Sequence, residues 1–323
     1  MAHGELAAVV MAAGLGTRMK SATPKHLHPL LGWRLVDWVV EAVRPLGPDP
    51  LVVVVAPDAV EAFESMDIAV QEKPLGTGDS LRAARERVGN AEQLLVVSGD
   101  HPRLSSELLQ QFVEEHRRSG VPATVLSFEP ADPRGYGRIV RGSDGRLRQI
   151  VEHADADEAQ RAIREVNSSI YVFEADKLWP ALELIEPVNA QGELYLTDAV
   201  RLLVEGGEEV AVFKAPDADE IEGVNTRAEL ADAAAFLRAR VNKEHMLAGV
   251  TIVDPQTTWI DPDVELEPDS TIHPFTVLRG KTRVAAGAEV GPHAVAIDAE
   301  IGPDAKVGPF CYLRPGTMLG AGA

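Results

Sequence analysis

From Ile260 onward the chain keeps a strict beat. Ile260, Leu266, Ile272, Leu278, Val284 and Val290 fall at six-residue intervals, and the beat resumes at Ile301, Val307, Leu313 and Leu319. Four residues after each stands a small or β-branched side chain: Val264, Ser270, Thr276, Thr282, Ala288, Ala294, Ala305, Cys311, Thr317 and Ala323. Turns spaced by chance do not sustain such a pattern. It reads as a parallel β-helix, in which each hexad forms one short face of a prism and stacked coils bury a continuous apolar column. The break between Val290 and Ile301 reads as a short loop or one irregular turn. Gly320-Ala321-Gly322-Ala323 falls in mid-hexad without the polar capping turn that closes a solenoid, so a piece of a longer protein is expected.

A chain of 323 residues favours two domains, and the part ahead of the repeat is long enough for a full α/β core. At 45% hydrophobic and 25% charged residues, neither disorder nor a membrane protein is suggested. The apolar stretch Leu6 to Ala13 lacks a basic flank and flows into a glycine-rich turn, so it reads as a strand and not a signal peptide. Cys311 is the single cysteine, which leaves no intramolecular disulfide and makes a cytoplasmic location the default expectation. A formal net charge of −19 argues against nucleic acid and anionic membranes as partners. An anionic substrate must then be held by backbone N–H groups, a few placed cations and a metal ion.

Glu5 to Val10 has the character of a buried parallel strand, followed at once by Met11-Ala12-Ala13-Gly14-Leu15-Gly16-Thr17-Arg18-Met19. The glycines permit a tight turn and close approach of backbone to ligand. Consecutive N–H groups with the Arg18 guanidinium could grip a triphosphate, and Pro24-Lys25 presents a lysine to the same region. Alone, a glycine-rich turn after a strand is equally well a structural turn.

The run AAGLGTRM followed by PKHLHPL resembles the G-x-G-T-R-M…P-K signature of the sugar-nucleotide pyrophosphorylases, which join a nucleoside triphosphate to a sugar 1-phosphate. With the hexapeptide tail, the chain looks most like the bifunctional bacterial branch, an N-acetylglucosamine-1-phosphate uridylyltransferase fused to a glucosamine-1-phosphate acetyltransferase. The resemblance implies a Rossmann-like nucleotide-diphospho-sugar transferase domain followed by a left-handed parallel β-helix. It also implies that Met11, Ala12, Ala13, Gly14, Gly16 and Thr17 wrap the nucleotide, with Arg18 and Lys25 catalytic. Gln71-Glu72-Lys73-Pro74-Leu75-Gly76-Thr77-Gly78 matches the segment whose glutamine and Gly-Thr pair, here Gln71, Gly76 and Thr77, contact a pyrimidine. A side-chain amide offers the donor and acceptor that reading a uracil edge requires. The family usually continues His-Ala where this chain has Asp79-Ser80, which puts the fine contacts in question.

Ser98-Gly99-Asp100 ends another apolar strand, Gln93 to Val97, where ligands bind in open α/β sheets. By resemblance Asp100 is a Mg2+ ligand and Ser98 stands where an aromatic residue is more frequent; Asn225, near an expected strand end, is the second metal ligand. The resemblance assigns the sugar to Gly137, Glu152, Asn167, Tyr195 and Thr197, with Asn225 beside it. Each of these is by itself also a plausible turn or cap residue. Leu230, Ala234, Leu237 and Val241 mark an amphipathic helix over Thr226 to Met246. The expected domains are therefore 1–226 (nucleotidyltransferase), 227–247 (linker helix) and 248–323 (partial β-helix). His26 and His28 lack the further ligands of a zinc site, and there is no Gly-x-Ser-x-Gly elbow.

The implied reaction is in-line attack of N-acetylglucosamine 1-phosphate on the α-phosphorus of UTP, with Mg2+ as cofactor and no covalent intermediate. Another hexapeptide-tailed pyrophosphorylase, acting on ADP-glucose or GDP-mannose, is the nearest rival, and a non-catalytic subunit of the same fold the other. Of the acetyltransferase site only Arg314 matches; the catalytic histidine and acetyl-CoA contacts would lie beyond Ala323, so no acetyl transfer is expected from this chain. A homotrimer is expected when the prism is full length.

Overall fold

Leu6–Met11 is buried at every position because it lies inside a nine-stranded sheet, with Leu51–Val55 parallel on one side and Gln93–Ser98 parallel on the other. These features come from a computed structural model describing residues 5–323. Alternate side chains of a strand face opposite ways. Ala7, Val9 and Met11 accordingly join one core with Leu81, Leu178 and Leu203, from the helices Thr77–Val88, Ala175–Glu183 and Leu196–Glu205. Leu6, Ala8 and Val10 join the other with Val39 and Phe112, from Leu35–Val43 and Ser106–Ser119. Burial on both faces is why these strands are apolar runs without alternation.

The sheet order is Val210–Lys214, Ala123–Phe128, Val166–Glu174, Gln93–Ser98, Leu6–Met11, Leu51–Val55 and Asp67–Val70, with Arg138–Arg141 paired to Val166–Glu174 and Leu147–Val151 paired to Arg138–Arg141. Val166–Glu174 runs antiparallel to both neighbours. From Leu6–Met11 the next strands build outward in one direction, and the chain then crosses back to lay Gln93–Ser98 on the other side. That reversal is a topological switch point, where open α/β sheets form a crevice beyond the strand ends. Met11 and Ser98 stand opposite each other at its edge.

The described residues divide into two compact units: residues up to Leu27 with Leu35–Asn225, and His28–Arg34 with Thr226–Ala323. The second contains the helix Arg227–Leu247, capped at Thr226, whose hydroxyl accepts from the Glu229 N–H while the Glu229 carboxylate accepts from the Thr226 N–H. Its buried stripe is Ala233, Leu237 and Val241, joined by Asn242, whose amide donates to the carbonyls of Pro255 and Thr258. Leu230 and Ala234, expected in the stripe, are half-buried. The hexads form short parallel strands in three four-stranded sheets, a β-helix with three faces. Ile260 pairs with Leu278 and Ile272 with Val290, one coil apart. Hydroxyls at the small positions are buried but satisfied, as where Ser270 donates to Glu267 and Thr282 to Arg279.

The break in the beat is a turn one residue short. Ala296 occupies the apolar position, paired with Leu278 and Leu313, and the next coil closes as Val284 meets Ile301. Leu278 is fully buried in this column. Leu278→Ala is expected to destabilise the prism by about 3 kcal/mol, read as a lower urea midpoint for the repeat; a midpoint unchanged would mean the column is not a packed core.

The hairpin Pro29–Leu30 with Trp33–Arg34 belongs to the second unit: Trp33 Nε1 donates to Asp263 Oδ2 at 2.9 Å, and a Cβ on Gly32 would fall 2.5 Å from Asp261 Cγ. No described helix is long and apolar enough to cross a membrane.

Candidate active site

At the crevice, the chain leaves Met11 as Ala12-Ala13-Gly14 and turns at Gly16, which has φ 57° and whose Cβ, if present, would lie 2.5 Å from Lys25 Cβ. Only glycine permits that approach. The Thr17–Met19 turn follows, anchored by buried Met19 and leaving Arg18 exposed. Gly99 donates its N–H to Met11 O at 2.8 Å, fastening the two loops together and setting Asp100 beside Lys25.

Lys25 Nζ lies 2.5 Å from Asp100 Oδ2 and 3.0 Å from Asn225 Oδ1, and Arg18 Nη2 donates to the same Asn225 oxygen at 2.9 Å. Ser98 Oγ donates to the other Asp100 oxygen at 2.6 Å. Burial opposes ionisation of Asp100, but Lys25 and His101 outweigh it and hold the carboxyl well below the usual carboxylate range. Asn225 does not stand at the strand end expected from the sequence. It directly precedes the helix Arg227–Leu247 and its cap Thr226, and the adjoining Val224 N–H donates to Asp100 O at 2.8 Å. Two hard oxygens thus converge on the Lys25 ammonium. A carboxylate plus an amide oxygen suits Mg2+, which keeps water and substrate phosphates as its remaining ligands. The described residues hold no cluster of three or more His, Cys, Asp or Glu that could form a metal cage by themselves.

A cavity of about 340 Å3 opens from this cluster, lined by Gly14, Thr17, Lys25, Gln71, Gly76, Thr77, Ser98 and Asp100 together with His26, Ser80 and Glu193. From sequence His26 is only half of an incomplete zinc pair. It is buried with Nδ1 3.2 Å from Gly99 O, so that nitrogen carries the proton; burial and then the Lys25 charge push its pKa down to about 4, leaving the ring neutral. Its place directly after Lys25 was the signal available.

Gln71 follows the Asp67–Val70 strand, and its amide nitrogen donates to Gly76 O at 3.1 Å and to Asp79 Oδ2 at 2.9 Å. Gly76 has φ 111°, and a Cβ there would meet Leu194 O at 2.6 Å. This close seam is stitched by Gly78 N–H to Leu194 O, Leu194 N–H to Leu75 O, and Leu196 N–H to Thr77 Oγ1. It carries Tyr195 and Thr197 alongside the Gln71 loop.

Thr197 Oγ1 donates to Glu152 Oε1 at 3.1 Å, a Cβ on Gly137 would sit 3.4 Å from the Glu152 carboxylate, and Gly137 O accepts from Asn167 N–H at 2.8 Å. Gly137, Glu152, Asn167 and Thr197 are therefore one cluster. Burial raises the Glu152 pKa against the opposing hydrogen bond from Thr197. Asn167 Nδ2 donates to Tyr171 Oη at 2.7 Å. Tyr195 is buried and gives its hydroxyl to Gln191 Oε1. Arg314 lies exposed in the second unit.

A family described as the MobA-like NTP transferase domain matches residues 8–172. Among curated relatives, the bifunctional protein GlmU of Streptomyces avermitilis is 47% identical over 298 residues, covering 89% of this chain and 62% of the relative. Those of Geobacillus thermodenitrificans and Thermoanaerobacter pseudethanolicus are 42% and 40% identical, covering 89% and 91% of this chain. The chain spans 64% and 65% of the length of these two.

Proposed function

The chain belongs to the MobA-like NTP transferase domain family, and on that footing we propose that it makes UDP-N-acetylglucosamine and pyrophosphate from UTP and N-acetylglucosamine 1-phosphate. The observation that carries the reading is the convergence of Lys25, Asp100 and Asn225 beside the Gly14–Arg18 loop. A sugar phosphate is already ionised at neutral pH, so no general base is needed; the task is to bring two anions together and stabilise the charge on the pentavalent centre.

In this reading the N–H groups of Ala13 to Thr17 cradle the triphosphate, Arg18 holds the departing pyrophosphate, and Lys25 leaves Asp100 to bind the equatorial oxygens. Asp100 and Asn225 would hold Mg2+, which would supply positive charge to offset the negative charge of the substrate phosphates. Gln71, Gly76 and Thr77 take the base. Glu152, Asn167, Gly137, Thr197 and Tyr195 take the sugar, with Glu152 accepting from hydroxyls. Gln71 and Asn167 favour the uridylyl, acetamido-sugar version over its rivals.

The relatives' greater length supports a longer protein whose full prism, with Arg314, also transfers acetyl from acetyl-CoA to glucosamine 1-phosphate, as a cytoplasmic homotrimer. The proposed functional division is 1–226, 227–247 and 248–323, although the compact units place His28–Arg34 and the helix Arg227–Leu247 together with the repeat. Incubating the chain with UTP, N-acetylglucosamine 1-phosphate and Mg2+ and weighing the product by mass spectrometry tests the activity: UDP-N-acetylglucosamine is expected, and its absence at micromolar enzyme rejects the reading.

A further inference from the structure

An amide nitrogen carries two hydrogens, and in Gln71 both are taken, one by the Gly76 carbonyl and one by the Asp79 carboxylate. The opposite orientation would set Gln71 Oε1 against two other oxygens, so the pair of acceptors fixes the amide by chemistry. Gln71 lines the cavity. With its nitrogen spent, the side chain has only Oε1, an acceptor, to offer a ligand there.

Bases differ at the edge such an acceptor would meet. A uracil-type base presents N3–H, a donor, between two carbonyls; cytosine presents a bare N3 acceptor beside an amino group. We propose that Asp79 is a positioning residue that locks the Gln71 amide with its oxygen available to the base, so that the site accepts a uracil-type imide edge and rejects cytosine. The inference rests on the uridylyl reading of the site and deepens it by naming the residue that fixes the orientation of the Gln71 amide.

Ser80 supports it independently. It is buried and lines the same cavity, and its hydroxyl has no hydrogen-bond partner among the described residues. A hydroxyl can donate, which would serve a carbonyl flanking N3–H.

The test measures equilibrium binding and kcat/KM with UTP and with CTP for the parent chain, Asp79→Ala and Asp79→Asn, with unfolding curves recorded alongside. The parent should prefer UTP. In Asp79→Ala the UTP-to-CTP ratio should narrow about tenfold, the scale of a hydrogen bond to a charged group, with the change in KM rather than kcat. Asp79→Asn should keep the ratio, because its side-chain oxygen still accepts from Gln71. An unchanged ratio in folded Asp79→Ala, or an equal loss in Asp79→Asn, overturns the proposal while leaving the uridylyl reading intact. A parent chain that binds neither nucleotide takes down both.

Discussion

Lys25→Ala should lower the rate of pyrophosphate release by about a hundredfold to a thousandfold, the scale of losing one preorganised electrostatic donor at a developing charge. Lys25 is buried, 8% exposed, and its ammonium bridges Asp100 and Asn225. Truncation would remove the cation proposed to meet the equatorial oxygens and would leave the Asp100 carboxylate buried without its closest positive partner. The fold should therefore weaken as well, by about 3 kcal/mol, as when one half of a buried ion pair is deleted. Steady-state kinetics and chemical denaturation read the two effects separately. Activity within threefold of the parent would mean that Lys25 only neutralises Asp100 and has no part in the reaction.

Asp100→Ala should cost about a thousandfold in rate, comparable to removing a charge stabiliser from phosphoryl transfer. The Mg2+ concentration for half-maximal rate should rise together with the loss. Lys25→Ala should move that concentration the other way, since Lys25 occupies the same two oxygens. The opposed shifts separate a metal ligand from a catalytic cation, and an Asp100→Ala chain with undiminished activity would sink the metal-site assignment.

The repeat was legible because a period of six admits few structures, yet Ala296 escaped it: a turn one residue short moves the phase, and alanine is too common to mark the beat. The placement of His28–Arg34 had no local signal. Its reason is a contact between Trp33 and Asp263, 230 residues apart. In the site, Gly16, Lys25 and Asp100 stood out because loop chemistry and strand ends make local patterns. Asn225 could be matched but not placed, because a loop residue is positioned by what it bonds, here through Val224 to Asp100. Asp79 registered only as a departure from a motif, and its bond to Gln71 depends on a fold-back that spacing does not reveal.

The most direct measurement is Mg2+-dependent pyrophosphate release by the purified chain, comparing UTP plus N-acetylglucosamine 1-phosphate with ATP, GTP or dTTP plus glucose 1-phosphate or mannose 1-phosphate. The account predicts clear preference for the first pair. Preference for another pair would keep the fold and the chemistry and contradict the substrate assignment, and silence with every pair would make the chain a non-catalytic member of its family.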